Sequence, residues 1–554
     1  MMKKISFANT ARFVAAIPVA IGIACHALAL PFVSAGALNA GRSDHTATLL
    51  ADGRVLVAGG ADTSNNFIPF CELYNPTAGT WTVTAPMVFP RVGHTATLLP
   101  NGKVLVTGGY SAATGRLASA ESYDPATGLW TITMPMTTAR TAHTATLLAN
   151  GMVLVTGGFG GASGTWLASA EMFNPITGSW WTVAPLQTAR SQHTATLLAD
   201  GKVFVTGGYN VHSLAGAEVF DSATGTWTSR PSMIVPRTFH SATLLANGKV
   251  LVAGGLNDGG NLSSAELFDP TFNGWLMTPP MAVAKQEARA TLLSNGKVLV
   301  TGGYNTSGHL PAAEIYDPPS GTWLFSLPML NPRVGHTATL LANGKVLVAG
   351  GYNTAAGCLS AAELYGCLVS LNAAGGTATP ATKIYYDDGA PYGSLPVPSR
   401  TSYLFAGWWT GQDGAGIRAT DTAFLASVFD HTLYAKWTGP VTVSTPVPVP
   451  YTWLAQYPVA GQSDADYETA ARADSDGDGH AAWQEYLAGS VPTNAHSFFQ
   501  AGIAVSNGTP RLTWSPDLGS ARVYLFEGKA NLTDSAWGTT NAGSRFFRAK
   551  VSMP

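Results

Sequence analysis

Charge is the scarcest property of this 554-residue chain: Asp, Glu, Lys and Arg make up 11% of it, against about 25% in an ordinary globular protein. Its 30 basic and 32 acidic residues nearly cancel, and no Lys/Arg cluster gives the electrostatic footprint of a nucleic-acid binder. Cysteine is almost as scarce. Apart from Cys25 near the N-terminus, only Cys71, Cys358 and Cys367 are present. This odd set has no metal-ligand spacing and excludes a disulfide framework, while a Cys358–Cys367 bridge would have to span an intervening strand. Gly-x-Ser-x-Gly, His-Glu-x-x-His and phosphate-loop motifs are missing. Long apolar runs are missing too, apart from one between Phe13 and Ala24, so no later segment is suited to span a bilayer.

That one run belongs to a targeting pattern. Lys3, Lys4 and Arg12 precede it and Ala27-Leu28-Ala29 follows, which reads as a secretory signal over residues 1–29, cleaved after Ala29. The alternatives are an uncleaved anchor, against which Pro18 and His26 interrupt the run, and a lipoprotein signal at Cys25, for which Gly22-Ile23-Ala24 is a poor lipobox.

What the chain has in quantity is repetition. Gly-Gly pairs begin at Gly59, Gly108, Gly157, Gly207, Gly254, Gly302 and Gly350. Each unit opens on a basic residue (Arg42, Arg91, Arg140, Arg190, Arg237, Lys285 or Arg333), continues into a strand of the type His-Thr-Ala-Thr-Leu-Leu, and turns through Asn-Gly or Asp-Gly into Val-Leu-Val. The turn dipeptides supply the two positive φ angles of a tight hairpin. Strands such as Val104-Leu105-Val106 are apolar on both faces, as stacked blades require. A Glu follows in a third strand, from Glu72 to Glu363, and a Trp opens a fourth, from Trp81 to Trp323. No such unit can bury its own faces, so the repeat predicts a β-propeller with one four-stranded blade per unit. The pattern resembles the kelch repeat. The seventh unit reaches Tyr365 and then Gly366, without a Trp strand. Phe32 to Arg42 matches the spacing of Trp81 to Arg91, so the N-terminal segment is predicted to supply the missing outer strand.

Residues 30–366 are therefore read as a seven-bladed propeller. Residues 367–438 contain Asn372 to Thr377, Phe405-Ala406-Gly407-Trp408-Trp409 and Thr432 to Trp437. They resemble the Listeria–Bacteroides repeat, which implies a small β-grasp module acting as an extracellular spacer or adhesion element. Residues 439–451, with Pro440, Pro446, Pro448 and Pro450, read as a stiff linker. In 452–500, Asp474, Asp476, Asp478, Gly479 and Glu485 have the spacing of a single EF-hand loop, with the His480 carbonyl at position 7. Its hard oxygen donors suit Ca²⁺, the flanking runs read as short helices, and the resemblance to the paired loops of dockerins is partial. Residues 501–554 carry strand-like stretches and read as a C-terminal β-module. The fold class expected is thus all-β, apart from the short helical calcium-loop segment.

Residues that recur in every unit are expected to be structural. His45, His94, His143, His193, His240 and His336 occupy one repeat position, with Ala288 in unit six. The basic and acidic residues in register are expected to form a ring of ion pairs, because charges between apolar blades need partners. The loops after Gly-Gly differ in every unit, and variable loops on a rigid scaffold are where binding resides. Tyr110, Phe159, Trp166, Tyr209, Tyr304 and Tyr352 are the candidate ligand-binding residues; for Tyr after Gly-Gly a packing role is equally open. Secreted kelch propellers include copper-radical oxidases resembling galactose oxidase, and sugar mutarotases. The oxidase pattern needs a Tyr-His pair and a Cys beside a Tyr ligand; this chain has no Tyr-His dipeptide, and nothing identifies a thioether partner for Cys71. The expectation is a secreted or cell-surface, monomeric binding protein that is not an enzyme. It takes an extracellular glycan or protein ligand, with Ca²⁺ as its cofactor and no membrane segment after signal cleavage. The alternative is a carbohydrate-acting propeller enzyme.

Overall fold

The computed structural model describes residues 32–440 except 162–163, 387–390, 424 and 426–429, together with 454, 456, 469–473, 482 and five strands between 500 and 552. The signal segment, most of the Pro-rich linker and the proposed calcium ligands lie outside the described residues.

Blade one shows how each unit folds. Thr46–Leu49, Val55–Ala58, Cys71–Asn75 and Thr80–Thr84 form one antiparallel sheet in that order. The first strand lies at the channel, where its counterparts in successive blades neighbour one another until Thr337–Leu340 meets Thr46–Leu49 again. Every residue of Val55–Ala58 is buried, and each fully buried Val or Leu contributes about 1.5–3 kcal/mol. Blade seven is completed from the other end of the chain: its outer strand is Val33–Ala37, antiparallel to Ala361–Tyr365. Phe32 packs on Tyr365 with ring centroids 4.9 Å apart, the same separation as Tyr74 and Trp81 in blade one.

The ion pairs form in all seven units, and their role is more specific than charge neutralisation. Glu171 of blade three accepts hydrogen bonds from the Thr137 and Thr138 amides, at 2.6 and 3.1 Å, and from Arg140 Nη2 at 2.7 Å. Arg140 Nη1 donates to the Gly157 and Ser169 carbonyls. Both side chains are fully buried. One carboxylate therefore pins the segment arriving from blade two onto the third strand of blade three. The Gly-Gly pair is part of the same joint. Gly108 has φ +60, and a Cβ there would lie 2.6 Å from both the Arg140 carbonyl and His143 Cε1 of the next unit.

The Trp residues tie blades as well as filling them. Trp130 Nε1 donates to the Ala85 carbonyl of the preceding blade at 3.0 Å, and Trp81, Trp180, Trp227, Trp275 and Trp323 make the equivalent bond.

Beyond Gly366 the chain enters a five-stranded mixed sheet, in which Cys367–Asn372 runs parallel to His431–Pro440. This module, expected from the sequence to be a spacer or adhesion element, packs against the propeller. Val369, Leu371 and Leu433 share one apolar core with Leu299, Val346 and Val348 of blades six and seven. Tyr386 Oη donates to the Gly344 carbonyl at 2.6 Å. The last sheet strand runs on through Pro440, into what the sequence suggests as linker. Cys71, Cys358 and Cys367 are joined by no disulfide among the described residues. Residues 469–472 are helical, and strands Thr509–Ser515, Val523–Lys529 and Phe546–Ser552 occupy the tail.

Removing the Glu171 carboxylate strands the buried guanidinium of Arg140 and two backbone amides at once. Glu171→Ala is expected to lose about 3–5 kcal/mol, and Glu171→Gln, which keeps an acceptor, distinctly less. Denaturant unfolding of the two variants measures the losses; a loss below about 1 kcal/mol for Glu171→Ala would show that the carboxylate is not the pin.

Candidate functional site

The two sets of loops that bound the channel mouth are stitched together. The residue after the repeat Arg pairs with the residue after Gly-Gly: Val92 with Tyr110, Ser191 with Tyr209, Gln286 with Tyr304 and Val334 with Tyr352. The variable loops and the Arg-bearing connections therefore share one face, and the Asn-Gly turns lie at the opposite end of the strands. The β-grasp module contacts that opposite end, through Tyr386 at Ser294 and Gly344.

The candidate aromatics form a broken belt on the open face. Trp166 lies between Phe159 and Tyr209, with both centroid separations 5.8 Å. Arg116 of the preceding loop lies 4.6 Å from the Phe159 ring centroid. Phe67 meets Tyr110 at 6.1 Å, and His309 joins Tyr304 to Tyr352 at 5.2 and 5.3 Å. Four loops thus lean on the first residue after Gly-Gly in the next blade, so these side chains brace neighbouring loops while still presenting surface. Tyr110 is 42% and Tyr304 38% exposed; Phe159, Trp166, Tyr209 and Tyr352 are partly buried. The belt is interrupted at blade five, where Leu256 follows Gly-Gly.

Inside the aromatic belt lies a ring of residues that the sequence reading missed. Asp44, Gly93, Ala142, Gln192, Phe239, Glu287 and Gly335 occupy the position preceding the repeat His or, in unit six, Ala288, and all have φ between 52 and 62. Glycine adopts that conformation freely and side-chain-bearing residues do so at a cost, yet five units keep a side chain there. The signal was available: this position varies from unit to unit immediately beside one that scarcely varies. Glu287 is mostly buried, and burial, reinforced by the charge of Asp44, raises its carboxyl above the usual range.

The six His residues sit below this ring. His94 Nε2 is 3.1 Å from Thr46 Oγ1 and His193 Nε2 is 3.0 Å from Thr144 Oγ1, each reaching the inner strand of the preceding blade. Burial, with the adjacent repeat Arg, lowers His94 and His193 to about 3, and the other four His are held well below their ordinary value by the same causes. Their Nδ1 atoms have no hydrogen-bond partner among the described residues. They face neighbouring backbone: a Cβ on Gly157, Gly302 or Gly350 would stand 3.4, 3.2 or 3.3 Å from Nδ1 of His193, His336 or His45. The His residues are neutral inter-blade ties, as the repeat suggests.

The Kelch-repeats domain family described as KLHDC2/KLHL20/DRC7 matches residues 31–208 and 185–351. The chain belongs to the kelch-repeat family. The Listeria–Bacteroides repeat domain matches residues 368–436 of this kelch protein. Among curated proteins none matches. A solved structure with the same architecture is a novel fungal alcohol oxidase with catalytic diversity among the AA5 family, in complex with copper. It is 16% identical, covers 76% of this chain and 92% of its own, and superposes with a TM-score of 0.51. At that identity the likeness shows the fold alone. It nevertheless corrects the expectation that the chain is not an enzyme, because an alcohol oxidase is built on the same architecture.

Copper does not fit the donors described. No three His, Cys, Asp or Glu residues converge on one point among the described residues. The His Nε2 atoms are engaged by Thr hydroxyls and the Nδ1 atoms face glycine backbone. Cys71 is fully enclosed, with burial pushing its thiol up to about 12. Asp474, Asp476, Asp478, His480 and Glu485, the expected Ca²⁺ ligands, lie outside the described residues.

The buried His residues set a pH dependence. Their folded pKa values lie below the unfolded value of about 6.5, so the stability of the neutral rings is complete above that pH and is lost as pH falls toward the folded values. Each His contributes a slope approaching 1.4 kcal/mol per pH unit in this window. The denaturant midpoint is expected to be level from pH 8 to 7 and to drop between pH 6 and 5, where the carboxylates are still ionised. His143→Gln is expected to flatten the drop, and an unchanged slope in that variant would count against neutral burial.

Proposed function

We propose that the propeller binds an extracellular glycan on its variable-loop face, in a protein secreted to or displayed at the cell surface as a monomer. The observation that carries this reading is the aromatic belt, in which Phe159, Trp166 and Tyr209 are held edge to face by neighbouring loops of a closed ring. A rigid aromatic surface binds a sugar face at little entropic cost. A protein ligand would use the same loops; the row of aromatic rings favours the sugar. The export reading is supported by the basic, apolar and small-residue pattern of residues 1–29 and by the Listeria–Bacteroides module. No helix among the described residues is long and apolar enough to cross a membrane.

A glycan array probed with the full chain is the test. Tyr110→Ala and Trp166→Ala are expected to weaken the best glycan by about tenfold or more. Tyr110→Ala, at an exposed position, should change stability by less than about 0.5 kcal/mol. Full retention of binding in both variants would move the site elsewhere.

The second reading, oxidation of an alcohol group on the bound sugar, has the fungal oxidase in its favour as a fold neighbour. Release of peroxide when the protein is mixed with the array's best glycan under dioxygen supports it, and its absence leaves the binding reading. The cofactor proposed for the chain is Ca²⁺, held by Asp474, Asp476, Asp478, the His480 carbonyl and Glu485. Calorimetric titration of the full chain is expected to show Ca²⁺ binding with a Kd of roughly 10⁻⁴–10⁻³ M. Asp476→Ala with Glu485→Ala should abolish it, and equal heat from that variant refutes the site.

A further inference from the structure

The channel mouth departs from sevenfold symmetry at one unit. Where Thr46, Thr95, Thr144, Thr194, Ser241 and Thr337 begin the inner strands of the other blades, unit six has Arg289, and Ala288 replaces the His that precedes them. The two changes act together: losing the imidazole removes a tie to blade five, and the guanidinium enters the channel. Arg289 is exposed there and lines a cavity of about 450 Å³ with Asp44, His45, Thr46, Thr95 and Thr337. Its Nε donates to the His336 carbonyl at 2.8 Å, which fixes the stem. Among the described residues neither Nη atom has a hydrogen-bond or ion-pair partner. A planar fork with a fixed stem and free ends is suited to grip a carboxylate with two parallel bonds.

The neighbours narrow the ligand further. Asp44 lines the same cavity, and Glu287 lines the adjoining one with Asp44 and Tyr352. Asp44 Oδ2 accepts from Ser43 Oγ at 3.1 Å, and the remaining acceptor sites of that side chain call for donors beside the anion. We propose that the channel mouth at blades six, seven and one binds a uronate unit of a glycan, with Arg289 gripping the carboxylate and Asp44 accepting from ring hydroxyls. A peptide C-terminus supplies the anion without a run of neighbouring hydroxyls, so it satisfies Arg289 and leaves Asp44 facing a like charge. The inference rests on the glycan reading of the loop face and names the sugar class for it.

The test compares trigalacturonate, its methyl ester and a short peptide with a free C-terminus, titrated calorimetrically against the full chain. Wild type is expected to bind the acid about ten- to hundredfold more tightly than the ester, and more tightly than the peptide. The variant Ala288→His with Arg289→Thr restores the sequence of the other units. It is expected to melt at or above the wild-type temperature while binding acid and ester equally. An acid-to-ester ratio unchanged in the variant, wild type that ignores trigalacturonate, or a preference for the peptide overturns the proposal. If a neutral glycan still binds and Trp166→Ala weakens it, the loop-face reading survives that failure; if no glycan binds, both fall.

Discussion

A carboxylate that accepts three hydrogen bonds in a buried seam decides where each blade begins. Glu171 receives the arriving chain through two amides and the guanidinium of Arg140, and that guanidinium reaches on to two carbonyls of its own blade. Without the joint, the connection between blades would leave buried amides and carbonyls unpaired. Desolvating an ion pair offsets much of its attraction, so the pair is weak as a source of net stability and strong as a determinant of geometry. Its repetition in seven units explains how a chain so poor in charge still buries fourteen charged side chains at under 4% exposure.

The other regularities hang on that joint. With the incoming segment pinned, His lands on the Thr of the preceding blade and the Gly-Gly pair of that blade must pass where a Cβ would collide. The outer Trp then reaches the carbonyl of the blade before it. Seven copies must also close, and the strand that closes them comes from the far end of the chain. Phe32 fills the Trp position there without an indole N–H to donate, so blade seven forgoes one inter-blade bond. The β-grasp sheet is packed against the same blade and against blade six, in one shared core.

Most of this scaffold was legible because its causes are local or periodic. Asn-Gly turns, doubly apolar strands and Arg in register with Glu are visible in one unit and reinforced by six others. The clasp was legible because a missing Trp strand and an unassigned N-terminal match are complementary. What escaped the sequence depends on neighbours in space. The edge contact of Trp166 with Tyr209 joins two loops, the left-handed backbone before the repeat His is set by the blade interface, and the docking of Tyr386 on Gly344 joins two modules. For the candidate aromatics, packing and exposure coexist in the belt: one ring edge braces a loop while the side chain keeps part of its surface open. The non-enzymatic expectation failed for a different reason. Missing motifs say little about a fold on which an oxidase is built, since catalytic residues on such a scaffold need share no short motif.

Against so regular a background, departures carry the information. Unit six is where they concentrate: Lys285 replaces Arg, Ala288 replaces His, and Glu287 and Arg289 bring charge to the mouth. Lys285 Nζ lies 2.8 Å from Glu314 Oε1, but it lacks the second arm with which Arg140 holds two carbonyls. The same unit gives up its His tie to blade five. A sequence selected only for closure would have kept the repeat there, since six other units show that it fits. Local loss of stabilising contacts beside a newly charged cavity is the pattern expected where a binding site has been cut into a structural repeat, because specificity requires polar groups that the fold itself does not satisfy.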